Sequence, residues 1–266
     1  MRTIVSCILS ANTTKMYNFE EISGNMAEVK GIFDRTERLI GSEGLTSLGR
    51  VSVIVIGVGG VGSWCAEGLV RSGISHLTLV DSDNVCASNV NRQLMATTLT
   101  IGRPKVDVLR ERLLEINPDA VINVSRERFS RDTADSFQLG QYDYVIDAID
   151  SIPDKALLIL LTLQTKANLF SSMGSALKLD PSRIAVAEFR NVKGCPLARA
   201  LRNHFKKNGQ FPSRKFQCVY SEERLENQPV ESGNPADTGN GTCVFITATF
   251  GFRLAAMVVN HAILSD

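Results

Sequence analysis

Paired cysteines are missing from this sequence. No two of its six cysteines form a C-x-x-C pair, which excludes a zinc ribbon. Their number and spacing in a chain of 266 residues do not indicate a disulfide framework either, so we expect a reducing compartment, the cytoplasm. The six are Cys7, Cys65, Cys86, Cys195, Cys218 and Cys243.

An excess of charge of one sign is missing as well. The 29 Lys and Arg residues against 28 Asp and Glu leave a net charge of +1, which excludes a surface coated in one sign of charge but not a local basic patch. Hydrophobic residues make up 44% and charged residues 21%, so the composition excludes a disordered or fibrous chain. The length predicts roughly one or two domains.

An uninterrupted membrane-spanning run is also lacking. The apolar stretch in residues 1–11 is too short for a signal peptide, and we expect a flexible N-terminal extension over residues 1–30. Residues 241–264 approach the length of a membrane helix, but a bilayer would tolerate Arg253 in their middle poorly. We therefore predict a buried C-terminal core helix over 241–264 and no contact with a membrane.

Short apolar, β-branched runs alternate with helical patterns from residue 51 onward. Val51–Ile56 is typical of a strand buried on both faces, and Pro104–Ile116 of a helix with proline in its first turn. This alternation predicts an α/β fold, namely a Rossmann-like, doubly wound, mainly parallel sheet with helices on both faces. The predicted strands in this part are 51–56, 76–80, 121–124, 142–146 and 168–171, and the predicted helices are 60–72, 104–116, 133–139 and 151–166.

The pattern changes after Gly174. Residues 221–241 are polar and contain several glycines and prolines, so they predict a long surface loop. We expect a single domain over residues 31–266, in which residues 174–240 form an α/β extension on the substrate side. Within this extension, strands are predicted over 184–187 and 216–220 and a helix over 197–207.

A glycine-rich turn follows the first predicted strand. The segment Gly57–Gly62 opens a helix, so its backbone can approach a phosphate, while the helix N-terminus offers free N–H groups to an anion. Asp81 ends the second predicted strand, where an acidic residue binds ribose hydroxyls. These features predict an adenine nucleotide but do not separate NAD from ATP. The glycines of the turn are Gly57, Gly59, Gly60 and Gly62.

The charged residues beyond this turn favour ATP. Arg92 and Lys105 can neutralise charge on a triphosphate, and Asp150, after the fourth predicted strand, can hold Mg²⁺. Hydride transfer to a nicotinamide would give these three groups no role, whereas cleavage of ATP between its α- and β-phosphates needs cations and a metal ligand of this kind. The sequence therefore favours ATP chemistry over a NAD-dependent dehydrogenase.

The order of these motifs resembles the ThiF family, the ubiquitin-activating-enzyme-like adenylyltransferases. The shared motifs are G-x-G-G-x-G, D-x-D, N-x-N-R-Q, G-x-x-K and D-x-x-D, within residues 35–172. The resemblance implies that ATP activates a carboxylate as an acyl-adenylate. It also implies nucleotide contacts from the four glycines, Asp81, Asp83, Asn89, Arg92, Gln93 and Lys105, with Asp81 on the ribose, Asn89, Arg92 and Lys105 on the phosphates, and Asp150 on the metal.

An arginine near the N-terminus completes the set that the resemblance implies. In that family such a residue reaches the active site of a dimer partner, and Arg38, before the first strand, is similar to it. The resemblance thus implies a homodimer with Arg38 acting alongside Arg92, Lys105 and Asp150 in catalysis.

The second half of the chain resembles one branch of the family, the tRNA threonylcarbamoyladenosine dehydratases. Members of this branch use ATP to cyclise the threonylcarbamoyl group on an adenosine next to the tRNA anticodon. Two residues depart from the branch pattern, namely Leu177, where Asn is common, and Cys195, where Asp is usual. The segments that carry the resemblance are Ser172–Pro181, Pro196–Arg199, Val219–Glu222 and Thr247–Gly251.

A run of basic residues agrees with a tRNA partner. Six of them fall within seventeen residues that contain no acid, and such a stripe can follow a phosphate backbone. The same run is also typical of a solvated helix face followed by a basic loop. The candidates for contact with tRNA are Arg199, Arg202, Lys206, Lys207, Arg214 and Lys215.

Two alternatives to the dehydratase remain open besides the dehydrogenase. An adenylyltransferase for the C-terminus of a ubiquitin-like sulfur carrier would use the same ATP residues, and a sulfur-transfer or carrier protein would then be a partner. Such enzymes commonly carry two zinc-binding C-x-x-C pairs, which this sequence lacks. A catalytically inactive nucleotide-binding module is disfavoured by the intact Arg92, Lys105 and Asp150.

The cysteines also bear on this choice. An intramolecular cyclisation needs no enzyme-bound acyl or persulfide intermediate, so we expect no cysteine to be an essential nucleophile. Cys65 and Cys243 lie within apolar helical patterns and are predicted to belong to the core, whereas Cys218 remains a candidate for a reactive thiolate.

Overall fold

The computed structural model of this protein describes residues 31–229 and 239–264, so the predicted extension over residues 1–30 lies outside the described residues. The strands are β1 (Ser52–Ile56), β2 (His76–Val80), β3 (Val121–Ser125), β4 (Tyr144–Asp147), β5 (Asn168–Ser172), β6 (Ile184–Glu188) and β7 (Gln217–Ser221). The α-helices are α1 (Asp34–Arg50), α2 (Gly62–Arg71), α3 (Lys105–Ile116), α4 (Ile152–Thr162), α5 (Pro196–Asn208) and α6 (Val244–Leu264).

The seven strands form one sheet in the order β3-β2-β1-β4-β5-β7-β6. Neighbouring strands are parallel throughout, except that β6 runs antiparallel to β7. The chain moves outward from β1 to β3 and then returns to the other side of β1 with β4. This reversal opens a crevice at the carboxyl ends of β1 and β4, where open α/β sheets bind ligands. The predicted Rossmann-like, doubly wound fold is confirmed.

Two hydrophobic cores cover the two faces of the sheet. Along β1, Val53 and Val55 belong to the core shared with α1, α2, α3 and α6, whereas Ile54 and Ile56 belong to the core shared with α4 and α5. Successive side chains of a strand point to opposite faces, so a strand covered on both sides is apolar at every position. This is the physical reason why the unbroken run in β1 predicts a central strand.

One predicted helix is divided in two. The short helix predicted over 133–139 corresponds to two short 3-10 helices, Ala134–Phe137 and Leu139–Gln141. Gln138 between them has a φ of 45°, and this left-handed conformation interrupts helical hydrogen bonding. The other predicted boundaries agree within a few residues, with α4 ending at Thr162 instead of near Lys166.

The C-terminal helix α6 is long and apolar enough, by length and composition, to cross a membrane. In the structure it packs against α2, and Phe250, Leu254 and Val258 form a fully buried stripe at four-residue spacing. The helix begins at Val244, so Cys243, which was predicted within it, lies just before its first residue and is only half-buried.

A glycine sets the distance between α2 and α6. A Cβ atom added at Gly251 would lie 2.6 Å from the Val61 carbonyl oxygen and 2.7 Å from the Cys65 nitrogen. These are backbone atoms of α2 and of the turn before it, so they cannot move aside easily. The close packing of the two helices therefore requires glycine at position 251.

We predict that Gly251→Ala lowers the free energy of unfolding by about 1–3 kcal/mol, because the added methyl group overpacks the contact with α2. The measurement is urea unfolding of the two proteins at equal concentration. Gly49→Ala is the matched control, since a Cβ atom at this helical position of α1 meets nothing within 4 Å. The control should be neutral or stabilising by up to about 1 kcal/mol. Equal stability of Gly251→Ala and wild type would contradict the assignment of this contact.

Candidate functional site

A cavity of about 960 Å³ lies at the carboxyl end of the sheet. One wall is formed by the glycine-rich turn after β1, the end of β2, the start of α3 and the loop after β4. A second wall comes from the segment after β5, the start of α5 and the residues that precede and begin α6. The order of the strands brings all these segments to one edge, although they are distant in sequence.

The glycine-rich turn shows why its glycines are needed. Gly57 has a φ of 88°, and a Cβ atom there would lie 2.9 Å from the Ala148 carbonyl oxygen after β4. A Cβ atom at Gly62 would lie only 1.8 Å from the Gly57 carbonyl oxygen. The turn therefore folds back on itself and starts α2 at the cavity. Gly59 and Gly60 line the cavity directly, and their contact with a phosphate stays a prediction.

Asp81 connects this turn to the next loop. One oxygen of its carboxylate accepts a hydrogen bond of 2.9 Å from the Val58 N–H, and the other accepts one of 2.9 Å from the Asp83 N–H. Asp81 lines the cavity, and a carboxylate has further lone pairs for hydroxyl groups of a ribose. The predicted contact with ribose stays a prediction.

Lys105 is buried at the start of α3. Its ammonium group lies 2.8 Å from the exposed carboxylate of Asp83, and its N–H donates to the Asp83 carbonyl oxygen at 3.0 Å. An ammonium group removed from water needs a counter-charge, which Asp83 supplies at the edge of the cavity. The structure thus brings together two residues that the motifs predicted separately.

The short helix Ala87–Asn89 and the turns after it supply three more predicted residues. The Arg92 guanidinium donates a hydrogen bond of 2.6 Å to the Ser88 carbonyl oxygen. Its other N–H groups can still bind an anion. Asn89 is buried and accepts from the Cys86 N–H at 3.1 Å. Gln93 is only 7% exposed, and its side-chain oxygen has no hydrogen-bond partner among the residues the structure describes. All three line the cavity.

Asp150 lies on the loop after β4, exposed at the cavity wall. Over residues 31–229 and 239–264 no hydrogen bond or ion pair engages its carboxylate, and no group of three or more metal-binding side chains occurs. Mg²⁺ fits such a site, because it is usually bound by one or two carboxylates together with substrate phosphates and water. A zinc or calcium cage would need more protein ligands.

The sequence predicts the second wall only as an extension on the substrate side and names none of its lining residues as site residues. These residues include Gly174–Lys178, Pro196–Leu197 and Thr242. The first two ranges also lie in the segments that resemble the dehydratase branch. Hydrogen bonds tie this wall together: the buried Lys178 ammonium donates to the Glu223 carbonyl oxygen at 2.7 Å, and the Leu177 N–H donates to the Gly241 carbonyl oxygen at 2.9 Å.

Two pKa values in this wall are lowered, one by burial and the other by hydrogen bonding. Removal from water lowers the pKa of Lys178. Hydrogen bonds from the Asp180 and Leu179 N–H groups lower the pKa of the Glu223 carboxyl, so it stays charged. The backbone of residues 177–180 is thereby held against the segment that follows β7.

The two departures from the branch pattern have structural consequences. Cys195 occupies the N-cap position of α5 and makes no side-chain capping bond, whereas an aspartate there could cap the helix. Leu177 has a φ of 59°, a left-handed conformation that asparagine tolerates better than leucine. Leu177 lines the cavity, whereas the buried Cys195 is not among its lining residues.

Arg38 lies apart from this cavity. It is exposed on α1, and the residues that line the cavity in the described part of the chain do not include it. The six basic residues predicted to contact tRNA are also outside the cavity. Five of them are exposed, and Arg202 is half-buried over the Phe189 ring at 5.7 Å. The exposed Arg214 donates to the carbonyl oxygens of Leu163 and Thr165, just after α4.

Two buried cysteines, Cys65 and Cys218, show no sign of activation. Burial raises the pKa of the Cys65 thiol and raises that of Cys218 well above its usual range. Neither thiol would form a thiolate readily at neutral pH. The expectation that no cysteine is an essential nucleophile stays a prediction, and Cys7 lies outside the described residues.

A family model described as the ThiF family matches residues 33–263. The match covers the glycine turn, the charged residues of the cavity and both of its walls. This chain therefore belongs to the ThiF family.

Its relatives point to one branch of that family. The tRNA threonylcarbamoyladenosine dehydratase of Haemophilus influenzae is 37% identical over 234 residues, which cover 84% of this chain and 90% of that protein. The dehydratase of Bacillus subtilis is 41% identical over 191 residues, covering 72% and 74%. A crystal structure of the Escherichia coli enzyme in complex with ATP matches with a TM-score of 0.79 at 33% identity, covering 88% and 94%. The predicted branch is confirmed by these likenesses.

We predict that Leu177→Asn stabilises the protein, because it relieves a left-handed leucine that costs about 1 kcal/mol or more. For a chain of this size the melting temperature should rise by roughly 2–4 °C. Leu179→Asn is the matched control: it changes an exposed leucine two positions away, which is not among the residues with positive φ. A melting temperature that does not rise in Leu177→Asn, measured against this control, would show that the strain is absent.

Proposed function

We propose that this chain is an ATP-dependent tRNA threonylcarbamoyladenosine dehydratase that acts in the cytoplasm. The observation that carries the proposal is the cavity itself. Its first wall holds the ATP motifs of the ThiF family, and its second wall is built from the segments that resemble the dehydratase branch. A nucleotide and an acceptor held together in one cavity are what an adenylation requires.

The first step would transfer an adenylyl group to the substrate carboxylate. The carboxylate oxygen attacks the α-phosphorus of ATP, the bond to the β-phosphate breaks, and pyrophosphate leaves. Gly59 and Gly60 would hold the phosphates, and Arg92 and Lys105 would neutralise the charge that develops on them. Asp150 would hold Mg²⁺, which when bound supplies further charge neutralisation.

The second step would close a ring on the nucleoside. The threonylcarbamoyl group attacks its own activated carbonyl carbon and expels AMP, which keeps one carboxylate oxygen. The nucleoside thereby loses one water, and ATP becomes AMP and pyrophosphate. No enzyme-bound intermediate is required, in agreement with the buried Cys65 and Cys218.

The exposed part of the basic stripe supports a tRNA partner. Arg199, Lys206 and Lys207 lie on the solvent side of α5, and the first turn of this helix lines the cavity through Pro196 and Leu197. Phosphates of a bound tRNA could therefore meet these cations while one nucleoside enters the cavity. Arg214 already binds backbone carbonyl groups, so we assign it to the fold.

The test is incubation with ATP, Mg²⁺ and tRNA that carries threonylcarbamoyladenosine, followed by mass spectrometry of the nucleosides. We predict loss of one water together with release of AMP and pyrophosphate.

Asp150→Ala should lower kcat by about 10²-fold or more. The double variant Lys206→Gln/Lys207→Gln should instead raise the KM for tRNA and leave the KM for ATP unchanged.

Several outcomes would contradict this proposal. ADP as the product would exclude adenylation, and full turnover by Asp150→Ala would exclude its role in holding the metal. Activity on the C-terminus of a sulfur-carrier protein without any change of tRNA would favour the carrier adenylyltransferase. The sulfur-transfer partner of that alternative stays a prediction.

We also propose a homodimer in which Arg38 completes the site of the partner. Its exposed position on α1, outside the cavity of its own chain, supports this arrangement. The planar guanidinium stays charged and can bind two phosphate oxygens at once. A two-fold interface would form both sites together.

We predict that mixing inactive Arg38→Ala with inactive Asp150→Ala restores about one quarter of wild-type activity. Half of the dimers would be mixed, and each would contain one intact site. The matched control mixes Arg92→Ala with Asp150→Ala: both residues belong to one chain's cavity, so no mixed dimer has an intact site. Absence of recovery with Arg38→Ala, when subunit exchange is demonstrated, would exclude action across the interface.

A further inference from the structure

A fully buried ion pair lies beneath the loop that carries Asp150. The Lys155 ammonium group on α4 lies 2.8 Å from the carboxylate of Asp147, the last residue of β4, and both side chains are 0% exposed. The Ser171 hydroxyl on β5 donates to the same carboxylate oxygen at 2.6 Å. Two strands and one helix therefore meet at a single charged group.

This network holds both polar backbone groups of Ile149. The Ile149 N–H donates to Asp147 at 3.2 Å, and its carbonyl oxygen accepts from the Lys155 ammonium group at 2.9 Å. On either side of this residue, the Ala148 N–H donates to the Ile56 carbonyl oxygen at 3.0 Å and the Lys155 N–H to the Ser151 carbonyl oxygen at 2.9 Å. The backbone is therefore fixed both before and after Asp150.

Stability does not explain why a charged pair occupies this position. Removing two charges from water is unfavourable, and apolar replacements of buried ion pairs are often neutral or stabilising. An apolar pair could fill the space but could not hold the N–H and the carbonyl oxygen of Ile149. What the ion pair contributes is therefore a defined direction for the chain as it leaves β4.

The direction of the backbone matters for Asp150 because its side chain is weakly held: the Arg128 guanidinium attracts it electrostatically, but that group is bound to Asp154. Its carboxylate has no hydrogen bond or ion pair with the residues the structure describes, so its position follows from the backbone of residues 148–151. A metal ligand must be held within a fraction of an ångström, and groups behind the ligands usually do this.

We propose that Lys155 and Asp147, supported by Ser171, are positioning residues that hold the Asp150 carboxylate in place for the metal and the triphosphate. Both are too deeply buried to touch the substrate, and they act only through the loop. The proposal rests on the proposed function in one respect, the role of Asp150 as the metal ligand.

The test uses the double variant Asp147→Asn/Lys155→Met, which removes both charges and leaves no unpaired buried ion. ATP binding is measured by calorimetry in EDTA and again in Mg²⁺. We expect the affinity in EDTA to stay within about twofold, whereas the gain in affinity from Mg²⁺ falls by about tenfold or more. Hydrogen–deuterium exchange should become faster in residues 148–151 of the full-length protein.

Glu67→Gln is the matched control. Glu67 is a buried carboxylate on α2 paired with Arg71 and Arg112, and it does not line the cavity. Its loss should affect stability but neither the Mg²⁺ dependence nor exchange at 148–151. Ser171→Ala is a milder second variant, in which we expect a smaller loss of the Mg²⁺-dependent gain in ATP affinity and a smaller increase in exchange. It serves as the test if the double variant does not fold.

Two results would overturn the inference. The first is that the folded double variant keeps the wild-type Mg²⁺ dependence of ATP affinity and the wild-type exchange of residues 148–151. If the double variant does not fold, the same result in a folded Ser171→Ala protein counts instead. The second is that Glu67→Gln changes the Mg²⁺ dependence of ATP affinity and the exchange of residues 148–151 as much as the double variant does. These readouts need no tRNA, so a wild-type protein that binds ATP with Mg²⁺ but leaves tRNA unchanged would contradict the proposed function and not this inference.

Discussion

The close approach of two backbone segments at the carboxyl end of the sheet determines the rest of this site. The glycine turn after β1 touches the backbone after β4, with no space for a Cβ atom at Gly57 or Gly62. Because these segments touch, the start of α2 and the loop of Asp150 face the same cavity. Larger side chains would separate the phosphate-binding turn from the proposed metal ligand.

The charges around this contact are arranged in two layers. At the surface of the cavity, Lys105 is paired with Asp83, and Arg92 keeps N–H groups available for a phosphate. Beneath it, the ion pair of Lys155 and Asp147 is closed to water and makes contact only with protein. The outer layer suits binding and release of a charged ligand, whereas the inner layer suits a fixed geometry. Both belong to one fold, because parallel strands bring their carboxyl ends together.

Much of the fold and of the nucleotide wall could be predicted from local patterns. The apolar run of β1 predicts a strand between two helical layers, and the glycines predict the turn that follows it. The break in the segment 133–139 could not be predicted, because Gln138 adopts a left-handed conformation that its residue type does not demand. The second wall was predicted only as a substrate-side extension and not residue by residue, since Gly174–Lys178 carry no charge pattern of a binding site apart from one lysine that the structure buries.

The sequence by itself determined the order of strands and helices, the glycine turn and the identity of the charged groups that follow it. These depend on residues close together in the chain, where spacing and side-chain type act directly. Only the tertiary structure decided that Lys155, Asp147 and Ser171 meet, that Arg214 binds the residues just after α4, and that Lys178 holds the segment after β7. Such contacts join distant residues, and their formation depends on the order of strands in the sheet and on burial, which local spacing does not encode.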